Sequence, residues 1–497
     1  MKFKRKAIIK LLFMLILVYA FTMIFPLGIA LFLSETEMIR ALGAAMFLAV
    51  AAALPVLLVT RKQAVRFTIR DGFILVFLSW AAACFFGALP YYFSRHIPRF
   101  TDAVFESVSG FTTTGTSVIG DVEILPRSLI FWRAETQWLG GMGMVVLTVA
   151  LLPFLGVGGF QLLKAEAPGP DKERITPKIT GTAKILWLIY ISLTALQTVF
   201  LVIAGMGFFD AVIHAFTTIA TGGFSSRNSG LAYWDSPAII WIVTIFMIIS
   251  GFNFTLIFRL IQRRWREVWN SSEGRAYIGI ILVSAVIVAA SSRLAGGAGG
   301  GAGGGAGTGG TTGIGGAGTA AFFYTTSVLT TTGFSIGGQA FLTPAAMVVL
   351  FLLMFVGGCS GSTAGGIKVI RHVVLFRQCG NELKKILYPR GVFSIRLNNK
   401  VGRKDVVYGV AGFIFLYFAL LAVCALVIAS SGLNHGSSFS IALASLGNIG
   451  LDPSLLEPFN GLGSLPGYVK WTLSFIMIAG RLELWTAIVF FSKDYWN

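Results

Sequence analysis

The stretch DAVFESVSGFTTTG, residues 102–115, sets the reading of the whole chain because it recurs. It returns as DAVIHAFTTIATGG at 210–223, as AAFFYTTSVLTTTG at 320–333 and as SSFSIALASLGNIG at 437–450. The four segments align without gaps, and their last glycines, Gly115, Gly223, Gly333 and Gly450, lie 108, 110 and 117 residues apart. A near-fixed period of this kind marks a repeated structural unit. Each segment is too short to cross a bilayer, and each lies between two apolar runs of the roughly 20 residues that a crossing needs.

Working outward, each unit reads as a long apolar helix, a short helix ending in a Thr/Gly or Gly-rich segment, and a second apolar helix. The units occupy about 71–180, 181–274, 275–400 and 401–497, behind a helical hairpin in 1–70. The basic start and the apolar run from Ala7 to Leu33 resemble a signal peptide. The run is too long for one and no small-residue cleavage site follows, so it is read as the first membrane helix. With 55% hydrophobic residues and only 12% charged, a soluble chain could not keep this much apolar surface from water. The fold class expected is therefore an all-α polytopic membrane protein with two N-terminal helices and four helix–pore loop–helix repeats.

The net charge of +18 raises the question of nucleic acid. Its placement answers it: 30 of the 39 Lys and Arg fall in the termini and four alternate loops with their margins, most densely between Lys368 and Lys404. That is the positive-inside bias, which sets orientation and contact with membrane lipids and puts both termini on the cytoplasmic side. No nucleic-acid partner is expected. Cys84, Cys359, Cys379 and Cys424 have no metal-ligand spacing and carry no disulfide argument. Residues 296–318, almost all Gly, Ala and Thr, read as a mobile outer loop without chemistry.

Four re-entrant segments in one chain suggest a shared aqueous path, because irregular backbone at membrane depth must be buried by protein or line water. The negative ends of the short helices favour cations, and the residues after them can aim carbonyls at a common axis. The selectivity filter is accordingly expected at Thr112, Thr113, Thr114 and Gly115; Ala220, Thr221, Gly222 and Gly223; Thr330, Thr331, Thr332 and Gly333; and Gly447, Asn448, Ile449 and Gly450. Asp102 and Asp210 read either as N-caps that complement the helix dipole or as an outer cation-attracting ring. Glu106 and His214 read as buried hydrogen-bonding partners, and Arg133 as an interfacial cation at the start of a helix.

The second long helices are interrupted about 25–30 residues beyond each glycine. The strongest interruption is Gly357, Gly358, Cys359, Ser360, Gly361, Ser362, Thr363, Ala364, Gly365 and Gly366, read as a gating loop beside the cavity, with a close small-residue helix crossing as the alternative. Arg481 is the deepest cation. Glu483, two positions on, cannot face it on a helix, so carbonyls of the small-residue loop are its expected partners, and it acts as a barrier in the cation path or as part of a structural ion pair.

The motifs SGFTTTGTS, QWLGGMG, LLPFLGVGGFQL, TGGFSSRNSG, TTTGFS, GGCSGSTAGGIKVIR, LGNIG and GRLELW together make the chain resemble the TrkH branch of the Trk/Ktr/HKT potassium-transporter superfamily along nearly its full length. The resemblance implies a pseudo-fourfold arrangement of the repeats around one pore, K+ bound at the filter residues, no covalent cofactor, and a gate formed by Gly357–Gly366 with Arg481. It further implies a homodimer in the cell (inner) membrane with a cytosolic nucleotide-binding, TrkA-like regulatory subunit docking on the basic loops, especially 371–404. Some relatives with serine in place of Gly115 favour sodium, so glycine here points to potassium. The fourth segment is LGNIG and not a threonine run. The functional expectation is channel-like potassium conduction, with an ion-coupled (Na+ or H+) secondary transporter as the alternative. An enzyme is not expected, since no Ser/His, paired-Asp or HExxH constellation lies in the spans.

Overall fold

The structure is a computed structural model that describes residues 5–60, 69–143, 179–298, 316–337, 342–398, 400–401, 404–450 and 461–496. It is nearly all helical, with one two-residue ladder pairing Arg396–Leu397 with Lys400–Val401. The LLPFLGVGGFQL motif and most of the Gly/Ala tract lie outside the described residues.

The hairpin consists of Arg5–Thr22, Ile24–Phe32 and Thr36–Thr60. The first two are separate helices because Pro26 has no N–H to offer the Thr22 carbonyl one turn earlier. The turn into the third passes through Ser34 in the left-handed region, φ 58°. Glu35 then reaches away from the hairpin and accepts the backbone N–H groups of Arg127 (2.9 Å) and Ser128 (3.2 Å). A carboxylate from one element thus caps the first turn of another, where the unpaired N–H groups and the helix dipole both favour it.

The first helices of the four units are Ile69–Phe93, Ile179–Ile203, Ser272–Ala298 and Lys404–Ala429, of 25, 25, 27 and 26 residues. At 1.5 Å per residue each is about 37–40 Å long, enough for a hydrocarbon core of about 30 Å. With the hairpin they supply, among the described residues, six helices that are long and apolar enough to cross a membrane, or seven if the bent pair Pro237–Gly251 and Phe254–Ile261 is one span. The short helices, Phe100–Phe111, Phe208–Ile219, Gly316–Leu329 and His435–Gly447, have 12 to 14 residues and cannot cross.

Among the described residues, none of the four second helices runs unbroken. Arg127–Gly141 stops at the Gly140-Gly141 pair. Pro237–Gly251 and Phe254–Ile261 meet at 104°, with Asn253 turning its side chain back to accept from the N–H groups of Thr255 and Leu256. Pro344–Leu353 gives way to an irregular segment before Val369–Leu387 resumes, and Gly467–Arg481 breaks before Leu484–Ile488. The expectation of interrupted second helices holds in the second, third and fourth units; in the first, the chain beyond the end of Arg127–Gly141 lies outside the described residues after Gly143.

Packing follows the membrane's inverted logic. Large apolar side chains point outward, Phe32 at 88% and Phe415 at 76% exposure, while serines and threonines of the short helices are buried. One apolar cluster joins the hairpin, the first unit and the fourth; another joins the second and third. The chain's two ends therefore meet.

Candidate functional site

Each short helix ends in the same way. In the first, the N–H of Thr113 bonds the Gly110 carbonyl (2.9 Å) and that of Thr114 the Ser109 carbonyl (2.9 Å). Thr221 and Gly222 repeat the pattern onto Thr218 and Thr217, and Thr331 and Thr332 onto Val328 and Ser327. In the fourth, Asn448 bonds Ser445 (3.4 Å) and Ile449 bonds Ala444 (2.9 Å). This is the Schellman cap, which needs one residue in the left-handed conformation. Thr113, Thr221, Thr331 and Asn448 adopt it at φ 55°, 55°, 58° and 52°. A β-branched residue there is an outlier, and three occur at one repeat position. The strained cap turns the following residues away from the helix axis.

The four segments come together. A methyl group on Gly115 would overlap the Gly222 carbonyl oxygen and lie 3.4 Å from Gly450 Cα. One on Gly223 would overlap the Thr332 carbonyl, and one on Gly333 would come within 2.6 Å of Gly450 N and O. The neighbours thus run first to second, second to third, third to fourth and fourth to first. Gly115, Gly223 and Gly333 have positive φ (82°, 78°, 76°); Gly450 does not. All four are half-buried, while every filter candidate before them is buried. Chemically, this is a ring of backbone at the negative ends of four helices, able to replace a cation's hydration shell with carbonyl oxygens.

The threonine hydroxyls are used inside the wall. Thr112 donates to the Val108 carbonyl (2.7 Å) and lies 2.7 Å from the Thr114 hydroxyl; Thr330 donates to Thr326 (2.8 Å) and lies 2.8 Å from Thr332. Farther along, a side chain from each of the first three short helices anchors the chain that rises after its glycine. Glu106 accepts from Ser117 (3.0 Å) and the Val118 N–H (3.0 Å), His214 bonds Ser225 (3.1 Å), and the Tyr324 hydroxyl donates to the Gly337 carbonyl (2.8 Å).

Two expectations need correction. Arg133 is not interfacial: the helix begins six residues earlier, at Arg127, and Arg133 is 2% exposed, paired with fully buried Glu106 at 2.9 Å and stacked 4.1 Å over Phe224. Asp102 and Asp210 are not N-caps, since Arg99 and Gly207 hold those positions, but both sit in the first turn, where the helix dipole favours a carboxylate. They are not a free acidic ring either. Asp102 pairs with buried Lys470 (2.6 Å), and Asp210 with Ser226 (2.6 Å) and Arg227 (3.3 Å). The Asp102–Lys470 pair ties the fourth unit to the first. Outside the spans, the Asn228 amide donates to Asp121 at 2.7 Å, joining the outer loops of the first two units and holding that carboxyl below its usual range.

Gln137, which the sequence reading passed over, is central. Its amide donates to the Gly222 carbonyl (2.7 Å) and its oxygen accepts from the Phe224 N–H (3.1 Å), so one buried side chain from the first unit fixes the segment that follows the second short helix. A lone amide just before a Gly-Gly break was the available signal. Gln137→Leu keeps the bulk and leaves both backbone groups unpaired, a loss of about 1–3 kcal/mol for each. A lower unfolding temperature in detergent is the expected result, and an unchanged one would count against this strut.

Beneath the four capped segments lies the Gly357–Gly366 segment, an irregular loop and not a helix crossing. The Cys359 N–H bonds the Gly251 carbonyl (2.9 Å) at the 104° bend, and the Thr363 hydroxyl donates to the Ile219 carbonyl (3.0 Å) at the end of the second short helix. The Gly365 N–H donates to the Thr331 hydroxyl (2.7 Å), and a methyl on Gly365 would overlap the Gly447 carbonyl. The loop thus sits against the ends of three short helices. Arg481 closes the fourth side, donating to the Thr363 carbonyl (2.6 Å) and to those of Gly140 and Gly141 (2.9 Å each). Its partners include a loop carbonyl, as expected. Glu483 pairs with Arg371, which stacks 3.8 Å over Phe413. Buried Glu273 accepts the Ser360 N–H, and Lys368 reaches the Ala364 carbonyl. None of these four charged residues was singled out from sequence as a support of the loop.

The profile of the TrkH family, described as a cation transport protein, matches residues 38–288 and 310–496. The Trk system potassium uptake protein TrkH of Salmonella typhimurium is 38% identical over 99% of both chains. TrkG of Escherichia coli K12, also a Trk system potassium uptake protein, is 33% identical over 88% of both. The crystal structure of the potassium transporter TrkH from Vibrio parahaemolyticus superposes with a TM-score of 0.86 at 34% identity, covering both chains completely.

Proposed function

The chain belongs to the TrkH family of cation transport proteins, and from that footing we propose that it carries potassium into the cell by channel-like conduction through its four Thr/Gly segments. The observation that carries this reading is the mutual contact of Gly115, Gly223, Gly333 and Gly450, each just beyond the negative end of a short helix. Four units in pseudo-fourfold order around one axis account for that contact. The loop Gly357–Gly366 and Arg481 form the gate: a cation below the filter would occupy the space they fill, and the Arg481 charge opposes its passage.

The proposal includes a homodimer in the inner membrane with cytoplasmic termini. It also includes a nucleotide-binding regulatory partner on the basic face around 371–404, which is continuous with the loop through Lys368 and Arg371. The names of the relatives, which speak of a Trk system, are in keeping with a further component.

The test is ion flux into liposomes carrying the purified chain, with potassium, rubidium, sodium and lithium compared under an imposed voltage. Passive uptake that favours potassium and rubidium is expected. Uptake that runs only with a second ion gradient would replace conduction by coupled transport.

A further inference from the structure

The four left-handed cap residues share a backbone role, and their side chains differ in what they touch. Thr113 has a buried hydroxyl without a hydrogen-bond partner. Thr221 returns its hydroxyl to the adjacent Ala220 carbonyl (2.6 Å). Thr331 accepts the Gly365 N–H of the loop at 2.7 Å. Asn448 donates its amide both to the Thr114 hydroxyl of the first filter segment (3.0 Å) and to the Met477 carbonyl (2.9 Å), one turn before Arg481. All four residues are at most 1% exposed. Two of the four caps are therefore bonded to the two parts of the gate, one to the loop and one to the helix that carries Arg481.

We propose that Thr331 is a positioning residue that latches the gating loop to the filter, with Asn448 making the matching link to the Arg481 helix. This rests on the reading of Gly357–Gly366 as a gate. The loop is packed closely at this point, since a methyl on Gly365 would collide with the Gly447 carbonyl. Withdrawing the loop must break the Gly365–Thr331 bond, and seating it must remake that bond in a site closed to water, where an unmade bond is costly. Thr331 holds a left-handed conformation that its β-branched side chain disfavours, so the hydroxyl that fastens the loop belongs to the residue that turns the third filter segment. Filter geometry and loop position are in this way properties of one residue.

The test uses Cys359, a buried thiol in the loop, in the full chain with the exposed Cys379 changed to Ser; Cys84 and Cys424 are buried. Thr331→Val removes the hydroxyl and keeps the branched shape, and Thr331→Ala makes the same deletion should the second methyl prevent folding. Labelling of Cys359 by a charged methanethiosulfonate is expected to quicken about fivefold, the effect of one net hydrogen bond on the seated loop. Thr331→Ser should restore the slow rate. Thr113→Val, which deletes the unpartnered hydroxyl at the equivalent cap, should leave Cys359 protected. Equal labelling in the Thr331→Val and Thr113→Val chains would overturn the latch. Because labelling needs no ion flux, it reports on the latch whether or not the chain conducts, so failure of the latch and failure of the conduction reading are told apart.

Discussion

Arg481→Ala is expected to raise potassium flux into liposomes by about tenfold or more. Two separate effects point the same way. The guanidinium makes three bonds to backbone carbonyls, at Thr363, Gly140 and Gly141, and charge-assisted bonds of this kind contribute roughly 1.5–3 kcal/mol each. Their loss frees the loop from the broken helix of the first unit. The charge itself repels a cation in a region of low dielectric, where Coulomb terms exceed those in water several-fold. Arg481→Lys separates the two. Lysine keeps the charge and lacks the planar fork that reaches Thr363 and the Gly140-Gly141 pair together. Flux near the parental level in the lysine variant assigns the barrier to charge; flux close to that of the alanine variant assigns it to the clamp. If neither variant departs from the parent, Arg481 is no part of the gate.

The four short helices and their capped, closely packed ends were legible because their requirements fall on neighbours in sequence. A Schellman cap, a close approach of four backbones and a short helix each demand particular residues within fourteen positions, so the pattern survives in DAVFESVSGFTTTG and its three relatives. The supports of the site were not legible, for the opposite reason. Glu273 meets Ser360 across 87 residues, Arg371 meets Glu483 across 112 and Lys470 meets Asp102 across 368. No local spacing records those pairings. Arg133 shows the hazard within a single unit. A cation early in an apolar helix reads as interfacial until its partner, Glu106, is found 27 residues upstream. Asn448 is the converse case. In sequence it broke the threonine pattern, yet in the fold it takes the same left-handed turn at φ 52°, which Asn adopts more readily than Thr, and its amide spans two units.

The filter glycines should not be equivalent, and the difference can be measured. Gly115→Ser is expected to lower the preference for potassium over sodium by about tenfold. Its Cβ would need the space of the Gly222 carbonyl oxygen, at a φ of 82° that a side chain disfavours. To admit it, the Gly222 carbonyl must move from the place where it can face a cation, which changes the coordination the ring offers. Gly223 and Gly333 present the same conflict with Thr332 and Gly450. Gly450 does not: its φ lies outside the positive region, and its nearest would-be contacts are Gly333 Cα at 3.2 Å and the Thr332 oxygen at 3.3 Å. A methyl there needs only a small adjustment, so Gly450→Ala should keep most of the selectivity that Gly115→Ala, Gly223→Ala and Gly333→Ala each lose. Permeability ratios from reversal potentials across the four alanine variants check this directly. Four equal losses would mean that the ring tolerates no side chain anywhere and that the fourth segment has no special latitude. An unchanged ratio in Gly115→Ser would remove residues 112–115 from the filter altogether.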